Sequence, residues 1–251
     1  AATTTALAAC ADLAQCVALL KLARARLGAG LTGFEVMGRH ALDLVARHFP
    51  ALPQPLPGAP WTVLLEQSDT EGEAQARERF EALLGAALEL SVIGDAVVAG
   101  SLAQSQALWH LRESIPLAQA EEGLNVKHDI SLPVSAIPEF VASTDALLRR
   151  RFPGVQLVNF GHLGDGNLHY NVQAPAGSDG QRFLDDNEQR INTLVFDALA
   201  PYGGSFSAEH GIGALKRDEL AARKSPVALQ MMRAVKAALD PQGILNPGRV
   251  L

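Results

Sequence analysis

Residues 159–172 read N-F-G-H-L-G-D-G-N-L-H-Y-N-V. Strand-like alternation runs on both sides of Gly164, Asp165 and Gly166. Asp-Gly between two such runs is a hairpin signal, because a type I′ turn needs positive φ at both central residues. With Asp165 and Gly166 as the turn, Leu163 faces Leu168 and His162 faces His169. Directly opposed residues hold their Cβ atoms about 4.5–5.5 Å apart. Side chains alternate faces, so Phe160 and Asn171 share the face of the two histidines. Two imidazoles held across a rigid hairpin are well placed to bind one metal ion.

The totals narrow the field. A chain of 251 residues is enough for one large domain or two small ones, with ample core. Hydrophobic residues make up 48% and charged residues 19%, the balance of a globular protein. A net charge of −6 lacks the basic excess of a general nucleic-acid binder. Cys10 and Cys16 stand in an Ala/Leu stretch and read as buried thiols, not a disulfide scaffold. That usage fits a reduced, cytoplasmic compartment. No apolar run reaches the roughly 18 residues of a membrane span. The start, A-A-T-T-T-A-L-A-A-C, lacks a Met and a basic leader, and reads as the interior of a longer chain.

Taken in order, the pattern predicts a helix over 6–27, a strand over 31–37 and a helix over 38–48. Pro53, Pro55, Pro57 and Pro60 mark a loop. A strand over 61–67, a helix over 71–90 with acidic residues in its first turn, and a short strand over 96–99 follow. Next come a helix over 101–115 ending near Pro116, a strand over 124–132 and a helix over 137–151. A strand over 155–160 leads into the hairpin, and a long helix spans 181–199. Two last helices, over 215–224 and 226–239, precede a tail of turns. The alternation predicts an α+β fold in which helices cover an antiparallel sheet, arranged as two ferredoxin-like units, with a helical C-terminal part over 200–251.

The residues that could do chemistry are few. His162 and His169 supply two nitrogen ligands, and Glu209, set among glycines, is the natural third. A His₂Glu set leaves a position open for substrate or water, the layout of a catalytic zinc site, though manganese, iron or cobalt also accept these ligands. Two structural histidines with ordinary hydrogen bonds are the plainer alternative. Arg112 can clamp a carboxylate through its guanidinium fork, or lie on a helix surface beside Glu113. Lys127 sits in a strand-like segment and can point the same way, or be solvated. His210 is a candidate general base or a partner that orients Glu209. The glycines make neither a GxGxxG nor a Walker A motif.

Five ordered motifs carry a family resemblance: LWHLRESI, VKHDISLPVSAI, GHLGDGNLHYNV, SAEHGIGALK and LDPQGILNPGRVL. Together they resemble the C-terminal domain of FAD-linked oxidases, the D-lactate, glycolate and D-2-hydroxyglutarate dehydrogenase family of the vanillyl-alcohol-oxidase superfamily. The resemblance implies a ferredoxin-like α+β domain, residues 1–251, that binds substrate and metal. In the family an N-terminal FAD-binding domain, absent from this chain, carries most of the flavin contacts. His162, His169 and Glu209 match the family's divalent metal ligands, commonly zinc, with manganese as the second choice. Arg112 and Lys127 match cations that bind the substrate carboxylate, and Asn171 matches a polar residue beside the metal. His210 matches the general base, and Asn246 a position near the flavin.

The implied reaction is oxidation of a 2-hydroxy acid to a 2-oxo acid by hydride transfer to FAD. The implied partners are a small 2-hydroxy-acid substrate, the FAD-binding domain and an unnamed electron acceptor. A homodimer and peripheral membrane association of the full-length enzyme are compatible with the resemblance. One position departs: some relatives acting on D-2-hydroxyglutarate carry a hydroxyl residue four after the arginine, and this chain has Pro116. The competing readings are a stand-alone metal-binding or interaction domain without redox activity and, more remotely, a zinc hydrolase.

Overall fold

A computed structural model describes residues 2–70 and 72–251. It divides into two units, Ala1–Phe206 and Ser207–Leu251. In the first unit β1 (Ala2–Cys10) leads through α1 (Leu13–Leu27) to β2 (Leu31–Gly38), α2 (Arg39–His48) and β3 (Trp61–Asp69). Then come α3 (Glu73–Glu89), β4 (Asp95–Val98), α4 (Leu102–Glu113), α5 (Ile115–Glu122), β5 (Asn125–Val126) and β6 (Asp129–Ser131). The unit closes with α6 (Ile137–Arg151), β7 (Gln156–His162), β8 (Asn167–Gln173) and α7 (Gly180–Leu199).

The strands form one antiparallel sheet of eight in the order β4-β1-β3-β2-β7-β8-β5, with β6 also on β8. The order β4-β1-β3-β2 is that of a ferredoxin-like unit, with α2 inserted between β2 and β3. The second half repeats it. There β6, α6, β7, β8 and α7 are followed by Ser205, which bridges back to Ser131 in place of a fourth strand. The two repeats join edge to edge where β2 pairs with β7.

Helices cover both faces. One core packs α1, α3, α6 and α7 on Ala6, Ala8, Val36, Val63, Leu65, Tyr170 and Val172. The other packs α2, α4 and α5 on Leu7, Met37, Leu64, Val158 and Phe160. Cys10 and Cys16 are buried free thiols in the first core, as expected. Their hydrogen bond, with burial, pushes the Cys16 thiol well above its ordinary value. No helix among the described residues is long and apolar enough to cross a membrane.

Several expectations are corrected. Residues 6–10 belong to a strand, not to the first helix. This strand lies between β3 and β4 with both faces buried, and tertiary pairing overrides the helix propensity of its alanines. The helix starts after Asp12, whose carboxylate accepts from the Gln15 amide at 2.7 Å. The strand expected over 124–132 breaks at Lys127 and His128 into β5 and β6. The helix expected to stop near Pro116 is followed by α5, which carries Pro116 in its first turn, where a missing N–H costs nothing. The expected helix start at Glu71 lies outside the described residues.

The hairpin also differs in detail. Leu163–Asp165 forms a single 3-10 turn, and only Gly166 takes a left-handed conformation, at φ 74°. The register therefore places His169 opposite Phe160, and His162 opposite Glu35 on β2. A slip of two residues keeps every side chain on its expected face, because the strand repeat is two. The turn is held from outside as well, since Arg24 donates to the Gly164 carbonyl at 2.6 Å.

The second unit holds α8 (Arg217–Arg223) and α9 (Pro226–Leu239). Ser225 caps α9 through the Ala228 amide at 3.2 Å. Asp240 ends it: its carboxylate accepts from Lys236 and from the amides of Ile244 and Leu245, both at 3.0 Å. The Lys236 ammonium first, then these amides, hold the Asp240 carboxyl below its ordinary value of 3.8. A depressed acid stabilises the fold above its unfolded pKa and loses that contribution as pH falls through the folded one. Amide exchange at Ile244 and Leu245 is expected to lose protection as pH drops below about 3.8, and Asp240→Asn to lose it at every pH.

At Gly166 an added Cβ would lie 2.4 Å from the Leu132 carbonyl oxygen, whereas at Gly177, φ 75°, it meets nothing within 4 Å. Gly166→Ala is expected to lower the unfolding free energy, measured by urea titration, by well over the ~1–2 kcal/mol of left-handed strain alone. Gly177→Ala should cost no more than that strain.

Candidate functional site

The face of the sheet under α4 and α5 carries a row of polar groups at the join between the two repeats. Strand parity puts Glu35, His162, His169, Asn171 and Asp129 on that face, because opposed residues point the same way. Glu35 is the centre of the row. Its Oε1 meets His162 Nδ1 at 2.7 Å. Its Oε2 accepts from Arg112 Nε at 3.1 Å and lies 2.9 Å from Arg112 Nη2 in an ion pair. Burial pushes the Glu35 carboxyl up, but the His162 hydrogen bond and the Arg112 guanidinium outweigh it and hold the acid below its ordinary value.

Arg112 is buried, not a surface residue, and Glu113 beside it turns to solvent. The guanidinium carbon lies 4.9 Å from the centre of the Phe160 ring, a cation–π arrangement. Phe160 in turn stacks obliquely on His169 at 4.8 Å. The His162 and His169 rings stand 5.7 Å apart at 75°. Two imidazoles on one tetrahedral ion, each bonded at about 2.0–2.1 Å, have ring centres roughly 5–6 Å apart. The Nδ1–H of His162 directed at a carboxylate leaves Nε2 as its acceptor nitrogen, the arrangement that metal-ligating histidines adopt. The ring separation therefore suits two imidazoles on one divalent ion.

Asn171 is buried and already committed. Its carbonyl oxygen accepts from the His128 amide at 3.1 Å, and its amide donates to Gln119 on α5 at 3.0 Å. Lys127 is exposed in the break between β5 and β6. Asp129, opposite His169, is buried. A second buried-edge acid, Glu66 on β3, accepts from Trp109 Nε1 at 2.7 Å and Thr5 Oγ1 at 3.3 Å. A cleft of about 320 Å³ opens beside these groups, lined in part by Glu35, Trp109, His162, Arg24 and Thr32.

The structure thus brings Arg112, His162, His169 and Asn171 onto one face of the first unit. Glu209, His210 and Asn246 lie in the second unit. There Glu209 and His210 are exposed neighbours, with His210 Nε2 3.8 Å from the Glu209 carboxylate. Asn246 is exposed in a left-handed turn at φ 48°, a conformation Asn tolerates better than most residues. Glu35 was missed in the sequence. Its signal was an acid in the run L-T-G-F-E-V-M-G, where strand parity aims it at the face opposite Phe34 and Val36.

Residues 1–250 match the family model described as FAD linked oxidases, C-terminal domain. The chain belongs to this family. Among curated relatives, a mitochondrial D-2-hydroxyglutarate dehydrogenase of Arabidopsis thaliana is 36% identical over 244 residues, 97% of this chain and 42% of the relative. A D-2-hydroxyglutarate dehydrogenase of Stutzerimonas stutzeri is 39% identical over 223 residues, 88% of this chain and 47% of the relative. The chain therefore spans less than half the length of these relatives. Among solved structures, p-cresol methylhydroxylase with substrate bound shares the fold at TM-score 0.69 and 14% identity, over 99% of this chain and 52% of that one. Alkyldihydroxyacetonephosphate synthase shares it at TM-score 0.58 and 11% identity, over 98% and 44%.

Arg112→Met would strip the buried Glu35 carboxylate of its cation. A broken buried pair typically costs about 3–5 kcal/mol. Arg112→Met is expected to lower unfolding stability by that order, and Arg112→Met/Glu35→Gln to recover most of it, as read from denaturant midpoints.

Proposed function

We propose that this chain is the substrate- and metal-binding part of an FAD-dependent enzyme that oxidises a D-2-hydroxy acid to the 2-oxo acid. The observation that carries this reading is the Arg112–Glu35–His162 network beside His169, in a chain of the FAD-linked oxidase family. His162 and His169 are the proposed metal ligands, with Glu209 assigned as the third from its motif. Zinc suits them, and manganese is the second choice. When bound, such an ion lowers the pKa of a coordinated hydroxyl, and FAD accepts two electrons.

The chain's own residues do the rest. A guanidinium has five N–H donors, and Glu35 engages only its Nε and Nη2 edge, so the others suffice for a substrate carboxylate. Lys127 is the second proposed cation for that carboxylate. Asn171 is the proposed polar contact beside the metal, braced by its bonds to His128 and Gln119. His210, exposed and next to Glu209, takes the hydroxyl proton on a ring nitrogen. His210 and Asn246 are exposed and polar, and their donor chemistry fits hydrogen bonding to a flavin. An FAD-binding domain and an external electron acceptor complete turnover. The buried thiols favour a reducing compartment, which we take to be the cytoplasm, although the plant relative is named mitochondrial.

The reading is tested on the full-length protein with a panel of D- and L-2-hydroxy acids and a dye acceptor. Turnover of D-acids is expected, with D-2-hydroxyglutarate, D-lactate and glycolate in the panel to define the side chain. Activity confined to L-acids or to alcohols without a carboxylate would overturn it. In the same assay Arg112→Met/Glu35→Gln is expected to lower kcat/KM by about 10²-fold or more, the loss of a charged hydrogen bond plus misorientation. Metal analysis of a His162→Ala/His169→Ala variant should find the ion gone. Metal in the parent with no turnover of any hydroxy acid would instead favour a binding domain without redox activity.

A further inference from the structure

We propose that Glu35 is a positioning residue that sets the metal-facing nitrogen of His162 and the donor edge of Arg112 from one buried carboxylate. The inference rests on the assignment of those two residues above. Glu35 divides its oxygens cleanly: Oε1 takes His162, and Oε2 takes both Arg112 contacts. A carboxylate that rotated to favour one partner would lose the other, so the two groups are coupled through it.

The backbone fixes this arrangement. Glu35 lies directly opposite His162 in the β2–β7 register. Its neighbours Phe34 and Val36 anchor one core and Met37 the other, so β2 has little freedom to shift. Two consequences follow for the ring: the Nδ1–H tautomer is selected, and Nε2 becomes the ligand nitrogen. For Arg112, the pairing holds the guanidinium over Phe160, whose ring also touches His169. The same carboxylate offsets Arg112's charge, so the positive charge of the pair does not repel a divalent ion beside it. A purely structural ion pair would have none of these effects on metal binding.

The test is zinc affinity of the full-length protein, measured by competition with a chromophoric chelator. His162→Ala, Glu35→Gln and Glu35→Gln/Arg112→Met are compared with the parent. Outer partners of metal ligands typically contribute about 10–100-fold in affinity. Glu35→Gln is expected to weaken zinc by that factor. The double variant, which leaves no unpaired buried charge, is expected to weaken it comparably and so separates positioning from misfolding. His162→Ala should abolish tight binding. If His162→Ala loses zinc while both Glu35 variants bind like the parent, the positioning role is wrong and the proposed function stands. If His162→Ala binds zinc like the parent, the metal assignment is wrong and the inference falls with it.

Discussion

The pairing of β2 with β7 is the constraint on which the rest depends. Among the described residues it is the strand pairing that joins the two ferredoxin-like repeats, and it is short, from Glu35–His162 to Met37–Phe160. Within those few residues it sets an acid opposite a histidine and a methionine opposite a phenylalanine. Every polar group of the site is placed relative to this junction: His169 one strand further out, Asn171 two residues along it, and Arg112 descending from α4 onto Phe160. An ion pair taken out of water is costly unless each partner is fully bonded. The junction meets that condition by giving Glu35 a strand neighbour on one oxygen and a helix cation on the other.

The surroundings show why such a row of polar groups is stable inside a protein. The face is apolar at its centre, where Leu7, Met37, Leu64 and Val158 meet α2, α4 and α5. Among the polar groups on this face, Glu66, Glu35 and Asn171 each bond side chains from the covering helices. The helices thus serve twice, as cover for the core and as the source of Trp109, Arg112 and Gln119. On the other face a separate buried network, Tyr170 to Asp145 at 2.5 Å with Asn159 beside it, ties α6 to the hairpin. Burial raises the Asp145 carboxyl, and burial with the neighbouring acid raises the Tyr170 hydroxyl. The hairpin is therefore anchored on both sides by polar bonds as well as by packing.

Much of this was legible in the sequence, for reasons that differ from residue to residue. The last helix, Pro226–Leu239, was read to the residue because Ser225 and Pro226 mark its start and Asp240-Pro241 its end. The hairpin's face was legible because strand parity survives a slip of two. Its register was not, since Asp-Gly permits a type I′ turn but Arg24 and the buried Leu163 select a longer one. The first strand was hidden by its alanines, whose helix propensity is real but weaker than pairing on two sides. With that strand missing, the alternation still suggested two ferredoxin-like units, but the first lacked one of its four strands. Arg112 and the histidines were singled out by residue type. Glu35 was not, because a single acid in an apolar strand becomes informative only once its cross-strand partner is known.

The most direct measurement is anomalous diffraction at the zinc edge from crystals of the full-length protein loaded with zinc. The account predicts one strong peak bonded to His162 Nε2 and His169, with His162 Nδ1 still on Glu35. A peak elsewhere in the molecule, or an ion bonded to His162 through Nδ1 with Glu35 displaced, would contradict it.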